Sequence, residues 1–400
     1  MKVLQINSVC GIRSTGRICT DIADILHKHG DECKIAYGRY EVPEQYQKFS
    51  VKISSDFDVN CHAAMSRIFD NAGFCNKRST EKFIGWVKEY NPDIIHLHNI
   101  HGYYINIEIL FKYLAEANKP VIWTLHDCWA FTGHCAYFSA SGCDKWKTGC
   151  EHCQLKKEYP TSVMFDKSKT NWMKKNKLFT SVKNMSIITP SEWLASLVKQ
   201  SYLGKYSVDV INNGIDLDIF KPTKSDFRKK NNLEGKKIIL GVASIWDARK
   251  GLDDFIKLSK IIDDSYRIVL VGLAEDQIKM LSDNMIGITK TNSTKELAEI
   301  YTAADVFVNF TYEDNYPTVN LEAQACGTPV ITYNTGGSIE SVPNENIIEQ
   351  GDIESFVKMT SYKCFDKEII ADKFDKIKKF NEYIEKYKEL EGNTHDKIIL

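Results

Sequence analysis

The apolar positions of this chain alternate between two spacings. Short, nearly unbroken apolar runs, "KVLQIN", "DECKIAYG", "PDIIHLHN" and "PVIWTLHD", suit strands covered on both faces. Among them, "RICTDIADILHKHG" sets Ile18, Ile22, Ile25 and Leu26 on one helix face and ends at Gly30, the usual residue just past a helix. The second half repeats the scheme. Its strands are "KKIILGVAS", "YRIVLVG", "MIGIT", "ADVFVNF" and "PVITY"; its helices are "GLDDFIKLSKII", "EDQIKMLSD", "TKELAEIYTAA" and "TVNLEAQAC". Strand and helix in alternation predict an α/β chain of two doubly wound domains. Gly, Asn-Gly and Pro222 cluster in "SYLGKYSVDVINNGIDLDIFKP" and mark the junction. The expected domains are 1–204 and 205–372. A tail helix, 373–400, spaces Phe374, Ile377, Phe380, Ile384, Tyr387 and Leu390 along one face that needs a surface to cover.

Composition narrows the class. With 400 residues, 43% hydrophobic and 26% charged, the chain can bury two cores. Its 52 basic and 53 acidic residues nearly cancel, so no nucleic-acid partner is expected. No apolar run approaches the roughly 20 residues of a membrane span. The start, "MKVLQINS", reads as a first strand rather than a secretory signal. Twelve cysteines in such a chain imply a reducing, cytoplasmic setting, with most thiols buried as small apolar groups.

The stretch "YEDNYPTVNLEAQACGTPVITYNTGG" (312–337) carries candidate chemistry. In open α/β sheets a ligand sits beyond the carboxyl ends of the strands, and Asp314 lies in the loop after "ADVFVNF". Glu322 falls about five residues into the next helix, roughly 7 Å along its axis. Two carboxylates so placed could grip two parts of one elongated ligand. Gly336 and Gly337 then form a turn before a new helix start, where free N–H groups attract phosphate. Carboxylates for hydroxyls and amides for phosphates suit a nucleotide sugar. Taken singly, Asp314 and Glu322 also read as solvated helix-end charges.

This block resembles the paired-acid donor motif of family 4 of the retaining glycosyltransferases, which have the GT-B fold. "VINNGIDLDIFKP" resembles that family's domain junction, and "RKGLDDFIKL" its basic stretch opening the donor domain. "STGRI" and "HDCWAFTGHC…GCDKWKTGC" are similar to the branch that builds capsular, colanic-acid and related exopolysaccharides. The resemblance implies two Rossmann-like domains facing a cleft, acceptor in the first and nucleotide-sugar donor in the second, with the tail helix packed back on the first. Two positions depart from the pattern. The first acid is Asp314, with Glu313 beside it, and Ser244 stands where the family carries Arg, so either Arg249 supplies that charge or Trp246 marks a differently built pocket.

The resemblance also assigns roles. Lys250 and Arg249 would stabilise the departing diphosphate, helped by Gly336, Gly337 and the Gly11–Gly16 loop. Glu322 would take the ribose hydroxyls. Asp314, with the amides of Asn315 and Tyr316, would hold the transferred sugar, and His126 would contact it. Asp127 could orient that imidazole. His96, His98 and His101 read either as acceptor-pocket groups or as local packing. The family commonly works without a catalytic metal, and no D-x-D pair is set to carry one; "DDF" and "DDS" read as surface charge.

Two features stand outside this scheme. Cys135, Cys143, Cys150 and Cys153 lie in a Cys-rich loop spanning 128–153. Four thiolates, or three with His134 or His152, would make a closed structural zinc site; free thiols or one or two disulfides are the alternatives. "KKEYPTSVMFDKSKTNWMKKNKLF" (156–179) interleaves lysines with Met164, Phe165, Trp172 and Met173. It suits either peripheral contact with an anionic membrane, fitting a polyprenyl-linked saccharide acceptor, or a solvated helix with Trp172 turned inward. The function expected is sugar transfer from a UDP- or GDP-sugar to a lipid-linked or growing surface polysaccharide. A non-catalytic nucleotide-sugar-binding component and another GT-B activity, such as a nucleotide-sugar epimerase, are the rivals.

Overall fold

The computed structural model describes residues 1–359 and 362–396. The chain divides into two compact units, 1–211 with the segment from Phe380, and 212–379.

The first unit holds a seven-stranded, all-parallel sheet. Its strands are β1 (Lys2–Asn7), β2 (Glu32–Tyr37), β3 (Ser50–Lys52), β4 (Ile94–Leu97), β5 (Val121–Thr124), β6 (Met185–Thr189) and β7 (Ser207–Val210), in the order β3-β2-β1-β4-β5-β6-β7. In the second unit, β8 (Lys237–Val242), β9 (Tyr266–Val271), β10 (Met285–Ile288), β11 (Val306–Asn309), β12 (Val330–Tyr333) and β13 (Ile347–Ile348) form a six-stranded parallel sheet, β10-β9-β8-β11-β12-β13. Each unit's first strand therefore lies inside its sheet, where the strand order reverses. That is the point at which an open α/β sheet leaves a crevice for a ligand. Both expected doubly wound domains are present.

The boundaries differ from the expected ones for a local reason. "SVDV" is strand β7, paired with β6 from Ser186↔Ser207 to Thr189↔Val210, so the first unit runs on to Ile211. The tail divides between the units. Phe374 is buried in the second unit's core, and Gly214 packs so closely on Lys376 that an added Cβ would lie 2.4 Å from its Cα. Phe380, Tyr383, Ile384 and Tyr387, on the helix Lys376–Asp396, are buried against β1, β2 and β4 in the first unit. The packing expected of the tail helix is present, from Phe380 on. Ile377, between the two groups, stays exposed. Residues 360–361 and 397–400 of the expected domains lie outside the described residues.

Other readings change. "GIRSTGR" is largely helical: the helix Arg13–Lys28 starts inside it, with Gly11, at φ +72°, in the left-handed conformation a glycine adopts freely, and Arg13 there too at φ +57°. "EDQIKMLSD" forms just one turn, Glu275–Ile278. Asp254 is not surface charge but 1% exposed, while its neighbour Asp253 faces solvent. Among the described residues, no helix is long and apolar enough to cross a membrane.

Candidate functional site

The second unit's site begins after β8. Asp247 caps the one-turn helix Ala248–Lys250, its Oδ1 accepting from the Lys250 N–H at 3.0 Å. Gly251 closes the turn with φ +74°, and a Cβ there would lie 2.2 Å from the Phe310 carbonyl oxygen. Only glycine lets this turn approach the loop after β11 so closely. The approach brings the two basic residues onto the acidic loop. Lys250 Nζ donates to Asp314 Oδ2 at 2.5 Å, both side chains 19% exposed. Arg249 Nη1 donates to the Glu313 carbonyl at 2.9 Å, and the Arg249 carbonyl accepts from the Tyr312 N–H at 2.8 Å. Arg249, not Trp246, thus sits with Lys250. Trp246 is buried in the core, its indole N–H on the Val271 carbonyl.

The turn after β12 is tied to the same loop. Gly337 N–H donates to the Asp314 carbonyl at 3.1 Å, and Thr335 Oγ1 donates to the Tyr312 carbonyl at 2.7 Å. The Asn315 N–H donates to Asp314 Oδ1 at 2.9 Å. Two amides expected to face a ligand, those of Gly337 and Asn315, therefore hold the loop itself; Gly336, with φ +48°, makes the bend. Tyr316 is a core residue, its carbonyl accepting from Asn213 at 3.1 Å. Glu322, the fifth residue of the helix Thr318–Ala325, is buried with Oε2 accepting from Tyr301 OH at 3.0 Å.

Asp254, which the sequence reading left on the surface, supports this loop from below. Its Oδ2 accepts from Tyr312 OH at 2.6 Å and Tyr333 OH at 2.8 Å, and its Oδ1 from Lys257 at 2.8 Å. Burial raises the carboxyl, but the bonds from Lys257, Tyr312 and Tyr333 outweigh it and hold the group below the usual range. Burial, with the Asp254 charge next to it, pushes the Tyr312 phenol up to about 12. Leu252, Phe255 and Leu258, buried on the same helix, are the signal that could have found Asp254.

In the first unit, the ends of β1, β4 and β5 gather histidines. The Gln5 amide is oriented by its Nε2 donating to the Cys19 carbonyl at 2.8 Å, which leaves Oε1 as acceptor. His98 Nε2 lies 3.0 Å from that oxygen and so donates to it; its Nδ1 then accepts, from His126 Nε2 at 3.1 Å. The chain fixes neutral His126 with its proton on Nε2 and a lone pair on Nδ1. Burial pushes His126 down to about 4, the raising effect of Asp127 being smaller. Asp127 orients a different ring: its Oδ2 lies 2.7 Å from His101 Nε2, and Tyr159 OH is 3.0 Å from His101 Nδ1. His96 belongs to the interior, between Tyr387 OH at 2.6 Å and Thr124 Oγ1 at 2.8 Å. Gly16 lies in the first turn of Arg13–Lys28, its carbonyl accepting from the Gly11 N–H at 3.0 Å.

Cys135, Cys143, Cys150 and Cys153 line one pocket with His134, Phe138 and Trp146. None of the chain's cysteines is disulfide-bonded. As the side chains stand, no three His, Cys, Asp or Glu groups among the described residues are set to hold a metal ion. The basic segment splits in two. On the helix Ser168–Phe179, Lys175 and Phe179 are buried and Trp172 donates to the Trp146 carbonyl at 3.0 Å; Val163, Met164, Phe165 and Met173 are exposed.

Comparison with known proteins agrees with this architecture. Residues 15–219 match the Glycosyltransferase Family 4 model and 223–379 the model for glycosyl transferases group 1. The chain is 25% identical over 355 residues, 85% of each chain, to a protein of Escherichia coli K12 named as the colanic acid biosynthesis glycosyl transferase WcaC. It is 29% identical over 178 residues, 40% of this chain and 46% of the other, to an Escherichia coli UDP-Gal:alpha-D-GlcNAc-diphosphoundecaprenol alpha-1,3-galactosyltransferase. In fold it is similar to Anabaena HepE in complex with UDP and glucose, with a TM-score of 0.66, 15% identity and coverage of 97% of this chain and 100% of that one. Sucrose-phosphate synthase from Thermosynechococcus elongatus gives a TM-score of 0.65, 16% identity and coverage of 100% and 99%. Paired parallel sheets, a basic turn set on an acidic loop, and a family model spanning more than half the sequence lead to one conclusion: the chain belongs to Glycosyltransferase Family 4 and is a glycosyltransferase of the GT-B type.

Proposed function

We propose that this protein is a retaining transferase that moves a sugar from a UDP- or GDP-sugar onto a lipid-linked or growing surface-polysaccharide acceptor. The observation that carries the reading is the Lys250–Asp314 pair beside Arg249, at the carboxyl ends of β8 and β11. In transfer, the bond from sugar C1 to the β-phosphate oxygen breaks. The acceptor oxygen bonds C1 on the same face, and its proton leaves with the nucleoside diphosphate. Negative charge grows on the departing phosphate, and Lys250 and Arg249 supply fixed positive charge for it without a metal ion. Asp314 accepts from hydroxyls of the sugar and Glu322 from those of the ribose. His126, neutral at ordinary pH, contacts the transferred sugar. A relative named for a diphosphoundecaprenol substrate supports a lipid-linked acceptor. So do the exposed Met164 and Phe165 among lysines, a composition that rests on anionic membrane surfaces.

Incubation with a panel of nucleotide sugars tests this reading. One donor should release nucleoside diphosphate slowly by hydrolysis and faster with acceptor, and the product should keep the donor's anomeric configuration. Retention of every donor intact, in the presence of acceptor lipids, would overturn it in favour of a binding component.

A further inference from the structure

The segment from Thr132 to Leu155 has little regular structure, only the short turns Ser139–Ser141 and Lys145–Lys147, yet Cys135, Phe138 and Trp146 in it are buried. A segment so poor in backbone pairing needs another source of order. Its four cysteines and His134 line a common pocket, and the thiols of Cys135 and Cys153 are hydrogen-bonded to each other.

Backbone N–H groups already hold two of the sulfurs. The Gly133 N–H donates to Cys150 Sγ at 3.2 Å, and the Leu155 N–H bonds Cys153. His134 is 2% exposed; its Nδ1 lies 2.6 Å from Asp70 Oδ1, while its Nε2 is buried with no hydrogen-bond partner. Lys175, 1% exposed, donates to the carbonyls of Trp129 at 2.8 Å and Thr132 at 3.1 Å and interacts electrostatically with Cys150 and Cys135. A buried ammonium needs opposite charge close by, and Asp70 and Asp127 also act on it.

We propose that Cys135, Cys143, Cys150 and Cys153 bind one zinc ion as four thiolates, in a closed structural site that pins this loop. Binding releases the four thiol protons and leaves a zinc–sulfur unit of net charge −2. Lys175 and the two N–H donors offset that charge, and Asp70 holds the His134 ring against the sulfurs. The side chains are not yet arranged as ligands, so binding draws them together within the pocket. Four protein ligands leave no open position, so the ion takes no part in sugar transfer.

Full-length protein purified under reducing conditions tests the site by metal analysis and zinc X-ray absorption. About one zinc per chain is expected, with a shell of sulfur alone at about 2.3 Å. Cys150→Ser and Cys153→Ser should lose the zinc. Chelation of the wild-type protein should lower its Tm and expose the remaining cysteines to a thiol reagent. A zinc-free protein from zinc-supplemented cells would overturn the proposal. So would a Cys135–Cys153 disulfide under these conditions, or a mixed shell with nitrogen at about 2.0 Å, which makes His134 a ligand. If the serine variants fail to fold, the wild-type metal content and sulfur shell decide. Neither measurement depends on donor or acceptor.

Discussion

Lys250 and Asp314, 64 positions apart in the chain, meet at 2.5 Å and pair opposite charges at the carboxyl ends of β8 and β11. In the function proposed above the ammonium goes to phosphate and the carboxylate to hydroxyls, so a donor would compete with this pair. Lys250→Ala should lower the rate of nucleoside diphosphate release by about 100- to 1,000-fold, the usual cost of removing one preorganised charge-stabilising donor. Asp314→Asn should instead weaken discrimination among donor sugars. Comparing kcat and KM across a donor panel checks both.

Asp254 should matter to activity without touching substrate. Asp254→Ala leaves the buried Tyr333 hydroxyl without its acceptor, at about 1–3 kcal/mol, and the half-buried Tyr312 hydroxyl without its own, at less. A fall in Tm and a looser Tyr312–Asp314 loop should follow, read by thermal unfolding and by hydrogen exchange. Because the folded carboxyl lies below its unfolded value of about 3.9, its contribution is present above that pH and disappears as pH falls through the folded value. Acid titration of stability in wild type and Asp254→Asn should differ below about pH 4 and run parallel above it.

His126 should stay neutral across the range where an ordinary histidine titrates. Its folded value near 4 lies below the unfolded value of about 6.5. The unfolded chain therefore binds more protons between these values, and stability falls as pH drops through that window. Nitrogen-15 NMR of the ring should report the Nε2–H tautomer. Gln5→Leu, which removes the acceptor for His98, should shift His126 toward a mixture of tautomers and lower kcat more than it raises KM.

The exposed Val163–Phe165 tip should hold the protein on anionic vesicles. Met164→Ser with Phe165→Ser should weaken binding to phosphatidylglycerol vesicles by about tenfold or more, and salt should weaken the wild type's binding too. Flotation with neutral vesicles provides the control. Equal binding by wild type and variant would remove the membrane reading while leaving donor chemistry untouched.

The sheets and the acidic loop were legible because each is written locally. A buried strand is an apolar run, and Asp314, Glu322 and the glycines sit within one continuous block. What stayed hidden depends on partners far along the chain. Which of Asp253 and Asp254 turns inward follows from helix phase, but that two phenols meet Asp254 there comes from residues 58 and 79 positions on. Likewise, Asp127 is next to His126 in sequence yet bonds His101, because successive residues at a strand's end point in different directions. β7 was read as a junction because its neighbour "INNG" looks like a turn; pairing with β6 overrode that signal.

The first unit is discontinuous. Its sheet is complete by Val210, but the apolar surface over β1, β2 and β4 is covered by Phe380, Tyr383, Ile384 and Tyr387, and the Tyr387 hydroxyl reaches His96. During synthesis the ribosome must reach Tyr387 before the domain it made first can close. Until then that domain waits with an open greasy face, in the interval when a nascent chain most needs chaperone protection. A stop codon before Phe380 would therefore damage the domain made first.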